Sequence, residues 1–245
     1  DVEKLENYTR GTFGSFNTWK NTVKLGSGLI NDKFTFDARL SRIKSDGFID
    51  RAASNLKSYF LSGAYHGKTD LIRVNVFSGS EKTYQAWNGI PESRLNGDLA
   101  GMNAYIDRNG LNQADAENLL NADSRTYNSF TYNDQTDNYW QDHYQFLYAK
   151  QFSNKLSFNG ALHYTKGKGY YEEFKANDKL SKYGLPNVTV DGQLKSRSDL
   201  VRRRWLDNDF YGFTYNFDYK AQQNLRFTLG GAYNEYKGKH FGEVI

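Results

Sequence analysis

The sequence predicts an all-β fold, an antiparallel up-and-down transmembrane β-barrel segment of about eight strands. Three observations carry this. Apolar residues alternate with polar ones in runs such as Phe34–Arg42, where Phe34, Phe36, Ala38 and Leu40 oppose Thr35, Asp37, Arg39 and Ser41. Short turns and long polar excursions follow each other in strict order, which puts every short turn at one end of the sheet. Aromatics fall at two heights, with Tyr65, Phe152 and Tyr219 near the short turns and Tyr144, Tyr164, Tyr211 and Tyr233 near the long loops. Two levels are what two lipid–water interfaces favour.

Taken in order, Gly14 to Leu25 is one strand, with Trp19, Val23 and Leu25 on a face that also holds Asn21. A loop from Gly26 to Lys33 leads into Phe34–Arg42, and a polar loop from Ser45 to Asn55 follows. Tyr59 to Phe77 is a hairpin. A turn at Lys68-Thr69 brings Tyr65 opposite Ile72, Gly63 opposite Val74 and Leu61 opposite Val76, so the apolar set stays on one side without a register slip.

The longest excursion, 79–138, is expected to fold locally. Asp98 caps a helix to about Asp107, with Gly110 after it, and Asn112 caps a second to about Asn121. Helices account for a loop whose length would otherwise be suspect. Gln141 to Thr165 is the next hairpin, turning at Ser153-Asn154-Lys155 so that Phe152 meets Leu156. Lys166 to Arg203 reads as another polar excursion, with a turn-rich stretch at Tyr183–Asn187. Trp205 to Tyr233 is the last hairpin, and Ile245 falls inside what reads as a further loop.

Composition sets outer limits. Hydrophobic content is 38%, yet 19 Tyr and 17 Phe make the chain too aromatic for a disordered one. No run approaches the roughly 18 apolar residues of a membrane helix. The absence of cysteine excludes disulfides and thiolate metal sites, and a net charge of +4 is too small to argue for nucleic acid. Asp1 follows no basic or apolar leader, so a signal peptide is expected to be removed or to lie outside the chain. A soluble β-sandwich also alternates, but it has no reason to gather its long loops at one end.

Enzyme signatures are missing: no G-x-S-x-G, P-loop or H-E-x-x-H occurs. Glu172 and Glu173 point to opposite faces if they lie on a strand, so they read as solvated loop carboxylates. His143 lies opposite residue 165, one diagonal step from His163, and both read as hydrogen-bonded wall residues in preference to metal or haem ligands. Asp134, Asp137 and Asp142 lack an EF-hand pattern and read as solvated, with loop Ca²⁺ the alternative.

Several segments together resemble TonB-dependent outer-membrane receptors of the Bacteroides type: GSFNTWKNTVKLGSGL, FTFDARLSRIKSDGFIDRA, SYFLSGAYHGKTDLIRVNVFSGSEKTYQAWNGIPE, YNDQTDNYWQDHYQF, GKGYYEEFK, RRRWLDNDFYG and NEYKGKHFGEVI. The resemblance covers nearly the whole chain. It implies a barrel of about 22 strands, a plug domain that engages the TonB energy-coupling protein, and uptake of an iron–siderophore, haem, cobalamin or glycan across the outer membrane of a Gram-negative bacterium. No plug and no coupling box are found here, so residues 1–245 are expected to be a contiguous piece of such a barrel, in contact with outer-membrane lipid. No cofactor is implied.

Loop aromatics near strand ends, Tyr84, Trp87, Tyr127, Tyr132 and Trp140, are the substrate candidates, because flat apolar faces beside polar groups suit a catecholate, porphyrin or sugar ring. The competing expectation is that they pack the loop onto itself. Of Arg202-Arg203-Arg204, alternate residues Arg202 and Arg204 would point inward and attract an anionic ligand; the plainer expectation is strand-end charge beside lipid phosphate. The rival for the chain as a whole is a self-contained small barrel with a structural or adhesive role, followed by a soluble glycan-binding β-protein.

Overall fold

The computed structural model describes residues 7–245; Asp1 lies outside the described residues. Nine strands form one antiparallel meander: β1 (Tyr8–Gly14), β2 (Thr18–Gly26), β3 (Phe34–Ser45), β4 (Ser54–His66), β5 (Asp70–Tyr84), β6 (Thr136–Gln151), β7 (Leu156–Lys179), β10 (Arg197–Gln222) and β11 (Leu225–Val244). Between β7 and β10 stands a separate small hairpin of β8 (Val188–Val190) and β9 (Gln193–Lys195). Among the described residues β1 and β11 are the two open edges of the sheet. Closure into a barrel would need partners for both.

The registers follow from side-chain sorting. Tyr65 faces Ile72, Gly63 faces Val74 and Leu61 faces Val76. The row continues through every later strand: Phe36, Gly63, Val74, Phe146, Leu162, Phe213 and Tyr233 are successive neighbours. At the β6–β7 turn the Phe152 N–H donates to the Leu156 carbonyl at 2.9 Å, as the hairpin requires.

The apolar side of this sheet is open. Phe36, Leu61, Leu162 and Leu229 are 48–68% exposed. The buried hydrophobics among the described residues are Ala64, Met102, Leu119, Tyr127 and Leu180, which make no layer against a sheet face. A soluble sandwich would bury one face completely, so that reading fails. The apolar belt also runs obliquely across the hydrogen-bonded rows. Its upper limit is Tyr233 in β11, Tyr211 in β10 and Tyr144 in β6, and it climbs to Tyr59 in β4 and Leu40 in β3, two rows higher than in β11. Its lower limit climbs in the same sense, from Tyr219 and Phe227 to Tyr65 and Phe34. A level slab crosses rows obliquely when strands tilt, as they do in barrels.

Several expectations need correction. The sheet has nine strands, because Gly14–Leu25 is the end of a hairpin whose first strand, β1, precedes it. Its turn carries Phe16 and Asn17 at φ 59° and 50°, without the glycine that usually marks such a turn. This turn lies at the long-loop end, where the Phe16 carbonyl accepts from the Asp46 N–H at 2.8 Å, so short turns are not confined to one end. The excursion read over 166–203 shrinks to 180–196, because β7 and β10 run for 24 and 26 residues. The last stretch is strand up to Val244, not loop. A tilted strand crosses a bilayer in about 9–11 residues. In these upper extensions alternation disappears while the backbone ladder continues.

The helices fall where their caps put them. After α1 (Glu92–Leu95), α2 (Leu99–Asn109) begins with Asp98 accepting from the Gly101 N–H and ends at Gly110 with φ 58°. In α3 (Gln113–Asn121), Asn112 accepts from the Asp115 N–H.

Candidate functional site

The β5–β6 excursion forms a small body with its own core. Met102, Leu119 and Tyr127 are buried together, with Ile90, Tyr105 and Ile106 packed around them. Tyr127 is 3% exposed, and burial pushes its hydroxyl up to about 12. It therefore serves the packing of the loop. Arg94 ties the helices by donating to the carbonyls of Leu120 and Ala122.

This body is fastened to the sheet and the β3–β4 loop by polar groups, of which Gln85, Asn128 and Gln135 are buried. Arg51, in the β3–β4 loop, donates to the carbonyls of Phe130 and Asn128, each at 2.8 Å. The Asn128 amide donates to the carbonyls of Asp50 and Gln85. Gln85 donates to the Glu172 carbonyl, Gln135 donates to the Gln85 side chain, and the Phe174 N–H donates to Gln135. Buried amides satisfied on both sides fix one arrangement, since leaving one unpaired costs about 1–3 kcal/mol. Tyr84 and Tyr132 belong to the same seam. The Tyr84 hydroxyl donates to the Tyr132 carbonyl at 2.7 Å, and the Tyr132 hydroxyl donates to Glu172 at 2.8 Å. Burial, reinforced by that bond, raises Tyr132 to about 12.

Next to the seam, the upper sheet carries charge on both faces. Glu172 and Glu173 do point to opposite sides, but they are 5% and 6% exposed and not solvated. Each meets an arginine of β10: Glu172 with Arg203 at 2.8 Å, Glu173 with Arg202 at 2.7 Å. Burial works to raise the Glu173 carboxyl, but Lys175 and Arg202 overcome it and hold it below its ordinary value. Arg202 also donates to the Tyr183 hydroxyl at 3.3 Å.

Arg204 differs. It shares the inward face with Arg202, it makes no ion pair among the described residues, and its guanidinium lies 5.4 Å from the centre of the Tyr171 ring. Tyr171 also meets Trp87 edge-on at 5.4 Å, and Trp87 is 55% exposed. Asp137 completes the row as the cross-strand neighbour of Tyr171. Burial raises the Asp137 carboxyl, Glu81 and Glu173 add to the rise, and Trp87 and Gln85 partly offset it. An exposed indole, a tyrosine ring and a guanidinium without an ion pair among the described residues are thus linked through Tyr171 on the face opposite the apolar belt. Such a set can take a flat ring that carries negative charge.

Of the sequence candidates, the structure brings Trp87 and Arg204 together across Tyr171. Arg202 lies beside them, committed to Glu173. Tyr84, Tyr132 and Tyr127 hold the loop in place. Trp140 sits on the outward face, between Ser80 and Lys168, away from this group. Tyr171 escaped sequence reading because Gly167–Lys175 shows no alternation. Extending the pairing of Tyr164 with Tyr211 by seven residues leads to Tyr171 opposite Arg204. His143 and His163 hydrogen-bond to Thr165 and Asn234, and His66 to Thr35. Among the described residues no group of three or more His, Asp or Glu could hold a metal ion, and Asp134 instead meets Lys82 at 3.5 Å.

No protein-family model matches the sequence, and no curated protein matches it. Two of the solved structures that share its fold are forms of one receptor. The closed form of the ferric-catecholate import receptor Fiu from E. coli K12 superposes with a TM-score of 0.66 at 12% identity, over 97% of this chain and 32% of that one. Its open form gives 0.64 at 13% identity, over 97% of this chain and 34% of that one. The chain therefore spans about a third of the length of the structures it matches.

Proposed function

We propose that residues 1–245 are a stretch of barrel wall from a TonB-dependent outer-membrane receptor that takes up an iron–siderophore or a similar scarce nutrient in a Gram-negative bacterium. The observation that carries this reading is the oblique apolar belt, open to its surroundings and bounded above by charge, with the folded loops gathered at its upper end. The likeness of fold to an import receptor supports it. No covalent chemistry is required: the role is selective binding and gated passage. Energy comes from the TonB protein through the receptor's plug domain.

Trp87, Tyr171 and Arg204 form the ligand-facing group, and Arg202 with Glu173 holds the strand ends that present it. The charge and flat faces favour an anionic catecholate over a neutral sugar. Haem and cobalamin are the other ring-bearing ligands to test.

The test is a titration of the detergent-purified protein that carries this chain with ferric catecholate, haem, cobalamin and an oligosaccharide. Saturable binding of one is expected, weakened about tenfold or more by Trp87→Ala and by Arg204→Ala. Normal membrane insertion with unchanged affinity in both variants overturns the site. Insertion without binding of any ligand overturns the receptor role and favours a structural or adhesive barrel.

A further inference from the structure

On the outward face, just above the apolar belt, the two halves of the sheet handle charge differently. In β6 to β11 the charges alternate in sign along one row: Asp142, Lys166, Asp209 and Lys237. Lys166 reaches both Asp207 at 2.6 Å and Asp209 at 3.1 Å. In β3 and β4, by contrast, Arg42 lies directly opposite Lys57. Like charges facing each other across a strand pair destabilise it. Neither residue has a carboxylate partner among the described residues, and both are exposed. Lys44 stands two residues beyond Arg42 on the same face, also exposed and without an ion pair among the described residues. Arg42 is held over the Trp19 ring at 5.6 Å.

These cations roof a shallow groove. Val23, Leu40 and Tyr59 form its apolar floor, and Arg42, Lys57 and Ser80 its upper rim. A cationic rim directly above an apolar floor, at the upper limit of a lipid-facing belt, complements a molecule with a phosphate head and an acyl tail. We infer that the Arg42–Lys57 pair is a site for the phosphate of a membrane lipid in the leaflet on the long-loop side. The missing counter-charge is supplied by the membrane: two cations share one phosphate, which removes their repulsion and adds charge-assisted hydrogen bonds. The inference rests on the membrane reading of the outward face given above.

Its test is thermal unfolding of the detergent-purified protein with bis-phosphorylated lipid A, with neutral phosphatidylcholine and with inorganic phosphate. A ligand that binds only the folded state raises Tm. Lipid A is expected to raise it by several degrees, phosphatidylcholine and inorganic phosphate not at all. Arg42→Gln with Lys57→Gln should abolish the lipid A shift while leaving Tm without lipid unchanged or higher, because the repulsion is gone. Lys168→Gln, in the self-neutralised half, should keep the shift. If the double variant fails to fold, Lys57→Gln alone should reduce the shift. An equal shift in wild type and variants overturns the site, as does an equal shift from inorganic phosphate, which would mark a soluble-anion site. A protein that stays monodisperse without detergent would instead remove the membrane reading itself.

Discussion

The lower belt and the upper third of the sheet are made of the same strands, yet different forces organise them. In β10, Tyr211 to Tyr219 puts an aromatic outward at every second position; these rings touch neighbouring rings of the belt, as Phe217 touches Phe158 at 4.7 Å, but no second layer covers them. A few residues further up the same strand, Arg202 and Arg203 make ion pairs on opposite faces, and Trp205 stacks between Tyr170 and Phe241. Below, the surroundings supply the apolar contact. Above, where both faces meet water, the protein must supply its own. On the proposed membrane reading, alternation in such a chain reports lipid, and the strand itself continues without it.

The largest effect that sharpens this contrast lies in the loop body, which holds the buried core found among the described residues. Leu119 is completely buried, so Leu119→Ala should destabilise that body by about 2–5 kcal/mol. Hydrogen exchange should rise across α2 and α3, and β6 and β7 should stay protected below residue 164. Loss of protection throughout the sheet would contradict the independence of the two regions.

A charge placed on the belt comes next. Phe146→Arg should cost about 2–4 kcal/mol in lipid, whereas Asn138→Arg, on the same face of β6 above the belt, should cost about 1 kcal/mol or less. Equal costs in a folding titration in vesicles would erase the boundary drawn at Asp142.

The Glu173–Arg202 pair gives a pH-dependent test. The folded-state pKa of Glu173 is depressed, so its contribution is fully present above its unfolded value, about 4.5. It is lost as pH falls through the depressed value. Glu173→Gln should flatten the stability profile in that acidic window and lower the midpoint at neutral pH modestly, since Arg202 is only partly buried. An unchanged profile would mean that the pair is ornamental to stability. Smallest of all, Asp98→Ala should cost about 1 kcal/mol through loss of the α2 cap, seen as fraying of its first turn.

Where side-chain alternation or local capping fixes a residue, the sequence was readable. The Tyr65–Ile72 and His143–Thr165 registers and the caps at Asp98 and Asn112 followed from spacing. Where water bathes both faces it was not. The extensions of β7, β10 and β11 carry no period, and β1 is hidden by a turn without glycine. The Asp191-Gly192 turn of the β8–β9 hairpin, at φ 52° and 75°, was visible in Val188–Lys195 but lay inside a stretch too polar to suggest strands. The candidate site was half legible: Trp87 and Arg204 stood out by type, while Tyr171, which joins them, appeared only once the ladder was extended.

The central claim is that the outward face of this sheet meets lipid up to the Asp142–Lys166–Asp209 row and water above it. The chain has no cysteine, which permits single-cysteine probes along β6. The most direct measurement is quenching of an environment-sensitive fluorophore at each of residues 138 to 148, one at a time, by nitroxide-bearing lipids in reconstituted vesicles. The expected result is strong quenching at 144, 146 and 148, little at 143, 145 and 147, and little at every position from 138 to 141. Quenching without a two-residue period, or an alternation that continues unchanged up to residue 138, would contradict the account.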